Sequence, residues 1–218
     1  MSAAAPLRKG WCPGALRPML TGDGLLARIR VSAGRLDLGQ AVAIAECAAR
    51  FGNGIIEISS RANLQLRGIR EADLAALQTR LERLGLLDAN EASENIRNIV
   101  ASPIADCDDS AILDPAPFVA ALEGLLADDP ALRKLPAKFS FVIDGGGALA
   151  LGDVEADIRF TAIEAASGAA FEITLAGDET VAAHCEPANL AAAAGALARA
   201  FLHAAAQAGP DVRRRSRG

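Results

Sequence analysis

One helix of this chain has both of its ends marked in the sequence, and it sets the order of the elements around it. Asp37 offers the side-chain acceptor that an N-cap needs, and apolar residues recur at helical spacing over 38–51. Gly52 and Gly54 follow, and glycine accepts the left-handed conformation that ends many helices. A second helix is predicted over 71–84, where leucines share one face.

Short strands are predicted around these two helices. Three are expected, at 25–31, 55–58 and 63–66. The first has Arg28 and Arg30 alternating with apolar residues, and residues 10–23, rich in Gly and Pro, are expected to be irregular. The resulting order, β-α-β-β-α, is most of a ferredoxin-like unit, whose sheet edge and helix faces another half can pair with.

A second domain is predicted after a polar, irregular segment at 88–117. Its expected elements are a helix at 117–127, strands at 139–143, 158–162, 170–175 and 180–184, and a long alanine-rich helix at 188–208. The predicted fold class is α+β: a ferredoxin-like half-domain over 10–87, then an α/β domain over 93–210.

Charge and hydropathy exclude several classes of protein. The net charge of -5 disfavours nucleic acid as the main partner, and the basic residues at 213–217 are expected to be a frayed tail. No apolar run approaches the roughly 18 residues of a membrane span, and no signal peptide is recognisable. A cytoplasmic location is therefore expected.

No metal site is predicted from the cysteines and histidines. Four cysteines stand at 12, 47, 107 and 185, none within five residues of another, and the two histidines have no acidic partner at metal spacing. The triple glycine at 145–147 follows a strand but matches no phosphate-loop pattern, so a hairpin or strand-to-strand turn is expected there.

The first polar motif runs from Ser59 to Gly68. If this stretch is a strand, Arg61, Asn63, Gln65 and Arg67 share one face, opposite an apolar row. Guanidinium groups suit planar, bidentate binding of carboxylates. The alternative is a solvated face of an edge strand.

The second polar motif, Glu94 to Val100, lies in the linker between the two parts. Arg97 stands between Asn95 and Asn98 in a short apolar setting. It is able to present its donor fork to an anion, or to anchor the linker through backbone carbonyls.

The third polar motif runs from Leu135 to Phe141. Lys138 opens a strand there, where its ammonium group is able to act as a compact positive charge or proton donor. The alternative is an exposed surface lysine.

In their order and spacing these three motifs resemble those of the nitrite/sulfite reductase superfamily, and the resemblance covers about residues 10–205. Within it, the stretch 61–68 and three earlier stretches are similar to the precorrin-3B synthase family. The earlier stretches are Cys12-Pro13-Gly14, Pro18-Met19 and Gly22 to Leu26. Sulfite reductases typically have a second lysine where this chain has Ser140, which favours the precorrin-3B synthase family.

The resemblance implies a fold, a reaction and a set of cofactors. It implies a sirohaem-reductase-type second domain and oxidation of precorrin-3A by dioxygen to the hydroxy-γ-lactone precorrin-3B. A [4Fe–4S] cluster and an associated iron centre are expected for the family. The residues implied to bind the carboxylated tetrapyrrole are Arg61, Asn63, Gln65, Arg67, Arg97 and Lys138; no catalytic residue is assigned.

The cluster ligands of the family have no counterpart in this sequence. The family supplies four cysteines, in C-x5-C and C-x3-C pairs, from the second half of its chain, and neither pair occurs here. The chain is therefore expected to be the N-terminal half, inactive without its other half or a partner subunit. The alternatives are half of a sirohaem nitrite or sulfite reductase, and a non-catalytic tetrapyrrole-binding module.

Overall fold

The computed structural model describes residues 13–166 and 168–207 as two sheets with helices packed against one face of each. The strands are Met19–Thr21 (β1), Gly24–Ile29 (β2), Ile56–Ile58 (β3), Leu64–Ile69 (β4), Ile99–Ala101 (β5), Phe141–Asp144 (β6), Ile158–Ala165 (β7), Gly168–Leu175 (β8) and Asp178–Cys185 (β9). The α-helices are Leu38–Phe51 (α1), Leu74–Arg83 (α2), Glu91–Ile96 (α3), Ala116–Asp128 (α4) and Leu190–Gln207 (α5). This is the expected α+β architecture. None of the helices in these ranges has the length and apolar character that crossing a bilayer requires.

The first sheet has the order β1-β2-β4-β3, and every neighbouring pair is antiparallel. One face packs on α1 and α2 through a core that includes Ile29, Ile44, Leu66, Leu77 and Leu81. Asp37 caps α1 as expected, in a reciprocal pair of bonds with Gln40. The opposite face of the sheet carries the polar side chains described below.

The second sheet has the order β5-β6-β7-β8-β9. β5, β6 and β7 are parallel, and β7, β8 and β9 form an antiparallel meander. α4 and α5 cover one face through a core built on Phe141, Phe160 and Phe171. Residues 145–157, between β6 and β7, are held by Arg159, which donates to the carbonyl oxygens of Leu151, Gly152 and Val154.

Two expectations about irregular segments were wrong. Residues 19–21 form β1, because Thr21 and Asp23 build a tight turn into β2. Residues 91–96 form α3, which Asn90 caps by accepting from the Ser93 amide. Of the two alternatives for the triple glycine, the hairpin is excluded, because β6 and β7 pair in parallel; the glycines begin the strand-to-strand connection between them.

Candidate functional site

A narrow cleft brings the three polar motifs together. Its lining comprises Arg61, Asn63, Asn98, Ile99, Val100, Ser140 and Glu155. The free volume of the cleft is about 10 Å³, which is room for about one water molecule, and the cleft is partly open to solvent. Residues 59–68, 94–100 and 135–141 are far apart in sequence, so their convergence is a property of the fold.

Arg61 reaches the cleft from a turn and not from a strand, contrary to the alternation expected from the sequence. β4 begins at Leu64, and the Ser59 amide donates to the Asn63 carbonyl to close the turn. Ala62 has a φ of 55°, which costs a non-glycine residue about 1 kcal/mol. Local strain of this kind is common beside binding sites.

The side of the first sheet away from its helices forms a polar face. Across the strands, Glu57, Gln65 and Arg28 lie in one row, because Gln65 is the register partner of both of the others. Continuing the β2–β4 register by one residue places Arg30 opposite Asn63, which lines the cleft. The polar face and the cleft are therefore adjacent.

Arg28 and Arg30 carry buried donors without partners. Arg30 is 4% exposed, and its Nε and Nη1 atoms have no hydrogen-bond partner among the described residues; the same holds for Nε of Arg28. Burial lowers the pKa of Arg30, against the attraction of Glu94 and Asp88. Unsatisfied buried donors are rare and costly, and they fit a ligand that supplies oxygen acceptors.

Neither arginine was singled out from the sequence as a binding residue. The available signal was two arginines alternating with apolar residues on a strand, which places both cations on one face. The sequence does not show that Arg30 is buried, because its charged neighbours Asp88, Glu94 and Arg97 lie far along the chain.

Glu94 is an acidic neighbour of the buried Arg30. Its Oε1 atom accepts from the amides of Ala15 at 2.6 Å and Leu16 at 3.2 Å. Burial raises the pKa of Glu94, although these bonds and the charge of Arg30 oppose the rise. A Cβ on Gly14 would lie 1.8 Å from the Glu94 carboxylate, so only glycine fits beside it.

Arg67 lies on the polar face but is occupied by carboxylates. Its guanidinium donates to both oxygens of Asp23, at 3.0 and 3.2 Å, and lies 3.7 Å from Glu57. Gln65, two positions earlier, is half-buried in the same face.

Arg97 lies between the two parts of the chain. Its Nε and Nη2 atoms donate to the two oxygens of Asp88 at 2.8 and 2.9 Å, and Nη1 donates to Glu123 at 2.9 Å. Nη2 also donates to the Arg30 carbonyl at 3.1 Å. Burial alone would lower the pKa of Arg97, but the bonds to Asp88 and Glu123 outweigh it and hold that pKa above its ordinary value.

Lys138 is exposed, and Asn98 fixes the backbone on both sides of it. The Asn98 side-chain amide donates to the carbonyls of Ala137 at 2.9 Å and Phe139 at 3.2 Å, and also to that of Asn95. Two positions later the Ser140 amide donates to Asp157 at 2.8 Å. Lys138 therefore borders the cleft without lining it.

The described cysteines do not fit an iron–sulfur cluster. Cys47 packs in the first core, Cys107 is exposed in a loop, and Cys185 ends β9. Over 13–166 and 168–207, no group of three or more metal-binding side chains is present. Cys12 and the basic stretch 213–217 lie outside the described residues.

Two family models match the chain in succession. The nitrite/sulfite reductase ferredoxin-like half domain matches residues 17–84, and the nitrite and sulphite reductase 4Fe-4S domain matches residues 92–197.

Individual proteins are also similar to this chain. A precorrin-3B synthase of Sinorhizobium sp is 42% identical over 82% of this chain and 38% of its own length. A ferredoxin–nitrite reductase of Leptolyngbya laminosa is 34% identical over 63% of this chain and 28% of its own. The structure of the Mycobacterium tuberculosis NirA protein matches with a TM-score of 0.66, 20% identity, and coverage of 77% of this chain and 32% of that one. The chain thus spans well under half the length of each.

Proposed function

Because this chain belongs to the nitrite/sulfite reductase superfamily, we propose that it is the N-terminal part of a precorrin-3B synthase-like oxidoreductase of cobalamin biosynthesis. The proposed reaction is the oxidation of precorrin-3A by dioxygen to the hydroxy-γ-lactone precorrin-3B. The 42% identity to a precorrin-3B synthase supports this choice within the superfamily. In this proposal the chain's own task is to bind the carboxylated tetrapyrrole.

The observation that carries the proposal is the group of unpartnered guanidinium atoms beside the cleft. Arg28 and Arg30 offer three buried donors, and Arg61 offers a further cation from the turn. Charge-assisted bonds from arginine to carboxylate are roughly twice as strong as neutral ones. The side-chain amides of Gln65 and Asn63, on the same face, add neutral donors. The exposed Lys138 adds a positive charge at the border of the cleft.

Arg67 and Arg97 are not part of the proposed binding set. Each already bonds to two oxygens of one aspartate, so a substrate carboxylate would have to displace a partner held by the protein.

The remainder of the enzyme is proposed to come from a partner segment or subunit. An exposed apolar edge supports this: Ile56 and Ile58 of β3, an edge strand of the first sheet, are 38% and 76% exposed, and Ile55 just before it is 51% exposed. Free edges with apolar side chains favour pairing with another strand. The [4Fe–4S] cluster and its iron centre are proposed to be held by that partner, since the described residues offer no ligand group.

Titration of the purified chain with uroporphyrin, a porphyrin carrying eight carboxylates, tests the proposal. Fluorescence is expected to report saturable binding, and etioporphyrin, which has the macrocycle without carboxylates, is expected not to bind. Arg30→Gln is expected to weaken binding at least tenfold, while the control Arg83→Gln, an exposed position at the end of α2, leaves it unchanged. Equal binding of both porphyrins would contradict the proposal.

A second candidate is half of a sirohaem nitrite reductase, which the 34% identity to a ferredoxin–nitrite reductase supports. Ser140 weighs against it, because the second lysine that sulfite reductases typically have is absent there and the Ser140 amide donates instead to the Asp157 carboxylate. Co-expression with a cluster-bearing partner, followed by assays of nitrite reduction and of precorrin-3A oxidation, separates the two candidates.

A further inference from the structure

The residues that bond to Arg97 come from three separate parts of the chain. Arg97 donates to Asp88 in the linker, to Glu123 in α4 and to the carbonyl of Arg30, the residue that follows β2. Glu123 accepts in turn from the Ser32 hydroxyl at 2.8 Å. The side chains of Arg97, Asp88 and Glu123 are only 15%, 12% and 19% exposed.

We infer that Arg97 is a positioning residue that acts through Arg30, and that it does not itself bind the tetrapyrrole. The inference rests on the proposed function in one respect only, that Arg30 binds a carboxylate of the ligand.

The donors of Arg97 leave little for a ligand. A guanidinium has five N–H bonds, and the bonds to Asp88, Glu123 and the Arg30 carbonyl use four of them. The carboxylates of Asp88 and Glu123 also flank the Arg97 guanidinium, and they would repel a third carboxylate that approached it. At low exposure such repulsion is weakly screened.

Arg97 is placed to control Arg30 in two ways. Its Nη2 atom holds the Arg30 carbonyl, which fixes the backbone from which the Arg30 side chain leaves β2. It also orients Asp88, whose charge together with that of Glu94 attracts the Arg30 guanidinium and opposes the lowering of the Arg30 pKa by burial. Loss of Arg97 therefore disturbs the ligand-facing guanidinium without removing a ligand contact.

Three variants distinguish a positioning role from direct binding in the uroporphyrin titration. Asp88→Asn is expected to raise Kd about tenfold, because Arg97 loses its anchor. If Arg97 bound the ligand, Asp88→Asn would free its guanidinium and lower Kd. Arg97→Lys is expected to behave like Arg97→Gln, since lysine cannot form the fork, whereas a direct charge contact would be rescued by lysine. In the Arg30→Gln background, Arg97→Gln is expected to add little.

NMR of the arginine Nε–H groups of the free chain decides the inference even if uroporphyrin does not bind. The Arg97 signal is expected to exchange slowly with water, and Asp88→Asn is expected to speed its exchange and to shift the Arg30 signal. Lys134→Gln, on an exposed turn, is the control and leaves both signals unchanged. The inference would be overturned if the Arg97 Nε–H group exchanged with water as fast as an exposed one, or if Asp88→Asn left the Arg30 signal unchanged. Absence of uroporphyrin binding by the unmodified chain would contradict the proposed function alone.

Discussion

Arg35 and Asp114 form a two-bond ion pair between the start of α1 and the start of α4. Nη2 and Nη1 of Arg35 donate to the two carboxylate oxygens at 2.7 and 3.1 Å, and Nε donates to the Pro103 carbonyl at 2.9 Å. With the Arg97 network, this pair ties the first sheet and its helices to the second domain.

Arg35→Lys is expected to lower the free energy of unfolding by about 1 kcal/mol, because lysine keeps the charge and loses the fork. Urea titration measures the change. Arg133→Lys is the matched control, since Arg133 is exposed and its guanidinium donates a bond to the Ala127 carbonyl. Equal stabilities of the two variants would mean that the fork contributes nothing.

Arg30→Met is expected to lower both stability and binding. The charge of Arg30 compensates the buried Glu94, and removing one member of a pair of buried charges leaves the other uncompensated. We expect the free energy of unfolding to fall by about 3 kcal/mol and the affinity for uroporphyrin to be lost. Thermal melting and the fluorescence titration together check the pair of outcomes, and unchanged or increased stability would contradict it.

Glu94→Gln is expected to remove a pH dependence of stability. The folded-state pKa of Glu94 lies above its ordinary value of 4.5 because burial penalises the anion. The stability that its protonated form contributes is therefore complete below that value and is lost as pH rises through the folded-state pKa. Glutamine keeps an acceptor for the Ala15 and Leu16 amides and does not titrate.

Unfolding of the original chain and of Glu94→Gln at several values from pH 4 to pH 8 provides the measurement. The advantage of the variant is expected to grow with pH, by about 1.4 kcal/mol for each unit of pKa shift. A difference that stays constant with pH would show that Glu94 ionises as freely in the folded chain as in the unfolded one.

Asn98→Ala is expected to destabilise the chain by about 2 kcal/mol and to loosen the segment around Lys138. The substitution removes the side-chain amide that donates to the carbonyls of Ala137 and Phe139. Because these acceptors are at least partly buried, water does not fully replace the lost bonds. Asn95→Ala removes the same chemical group from a half-buried neighbour and is the control. Amide hydrogen exchange over residues 135–141 is expected to rise in the first variant only.

The parts of the fold that local chemistry determines were predicted from the sequence. The cap at Asp37 and the apolar periods of the main helices gave their positions to within a few residues. β1 and β5 were missed because each lies in a segment rich in glycine, proline or polar residues, which favour irregular structure, and each becomes a strand only through pairing. Parallel pairing of β6 with β7 was missed for a similar reason, since register and direction depend on contacts that span the chain.

In the candidate site, too, only the features that depend on local sequence were predicted. The motifs that converge on the cleft were recognisable as polar residues in apolar settings. Whether a given arginine is free or paired depends on distant partners: Asp23 lies 44 positions before Arg67, and Glu123 lies 26 positions after Arg97. Sequence alone cannot distinguish those arginines from Arg30, whose burial is the distinctive feature.

The mixed second sheet has a consequence for the order of folding. β7, β8 and β9 follow one another as hairpins, so their contacts close short loops and are expected to form early. β5 pairs with β6 only after the segment between them, which includes α4, has folded. This pairing is a slow, long-range step. The cleft is lined by Ile99 and Val100 of β5 and by Ser140 just before β6. We therefore expect this cleft to be assembled in the last stage of folding, on a meander that is already formed.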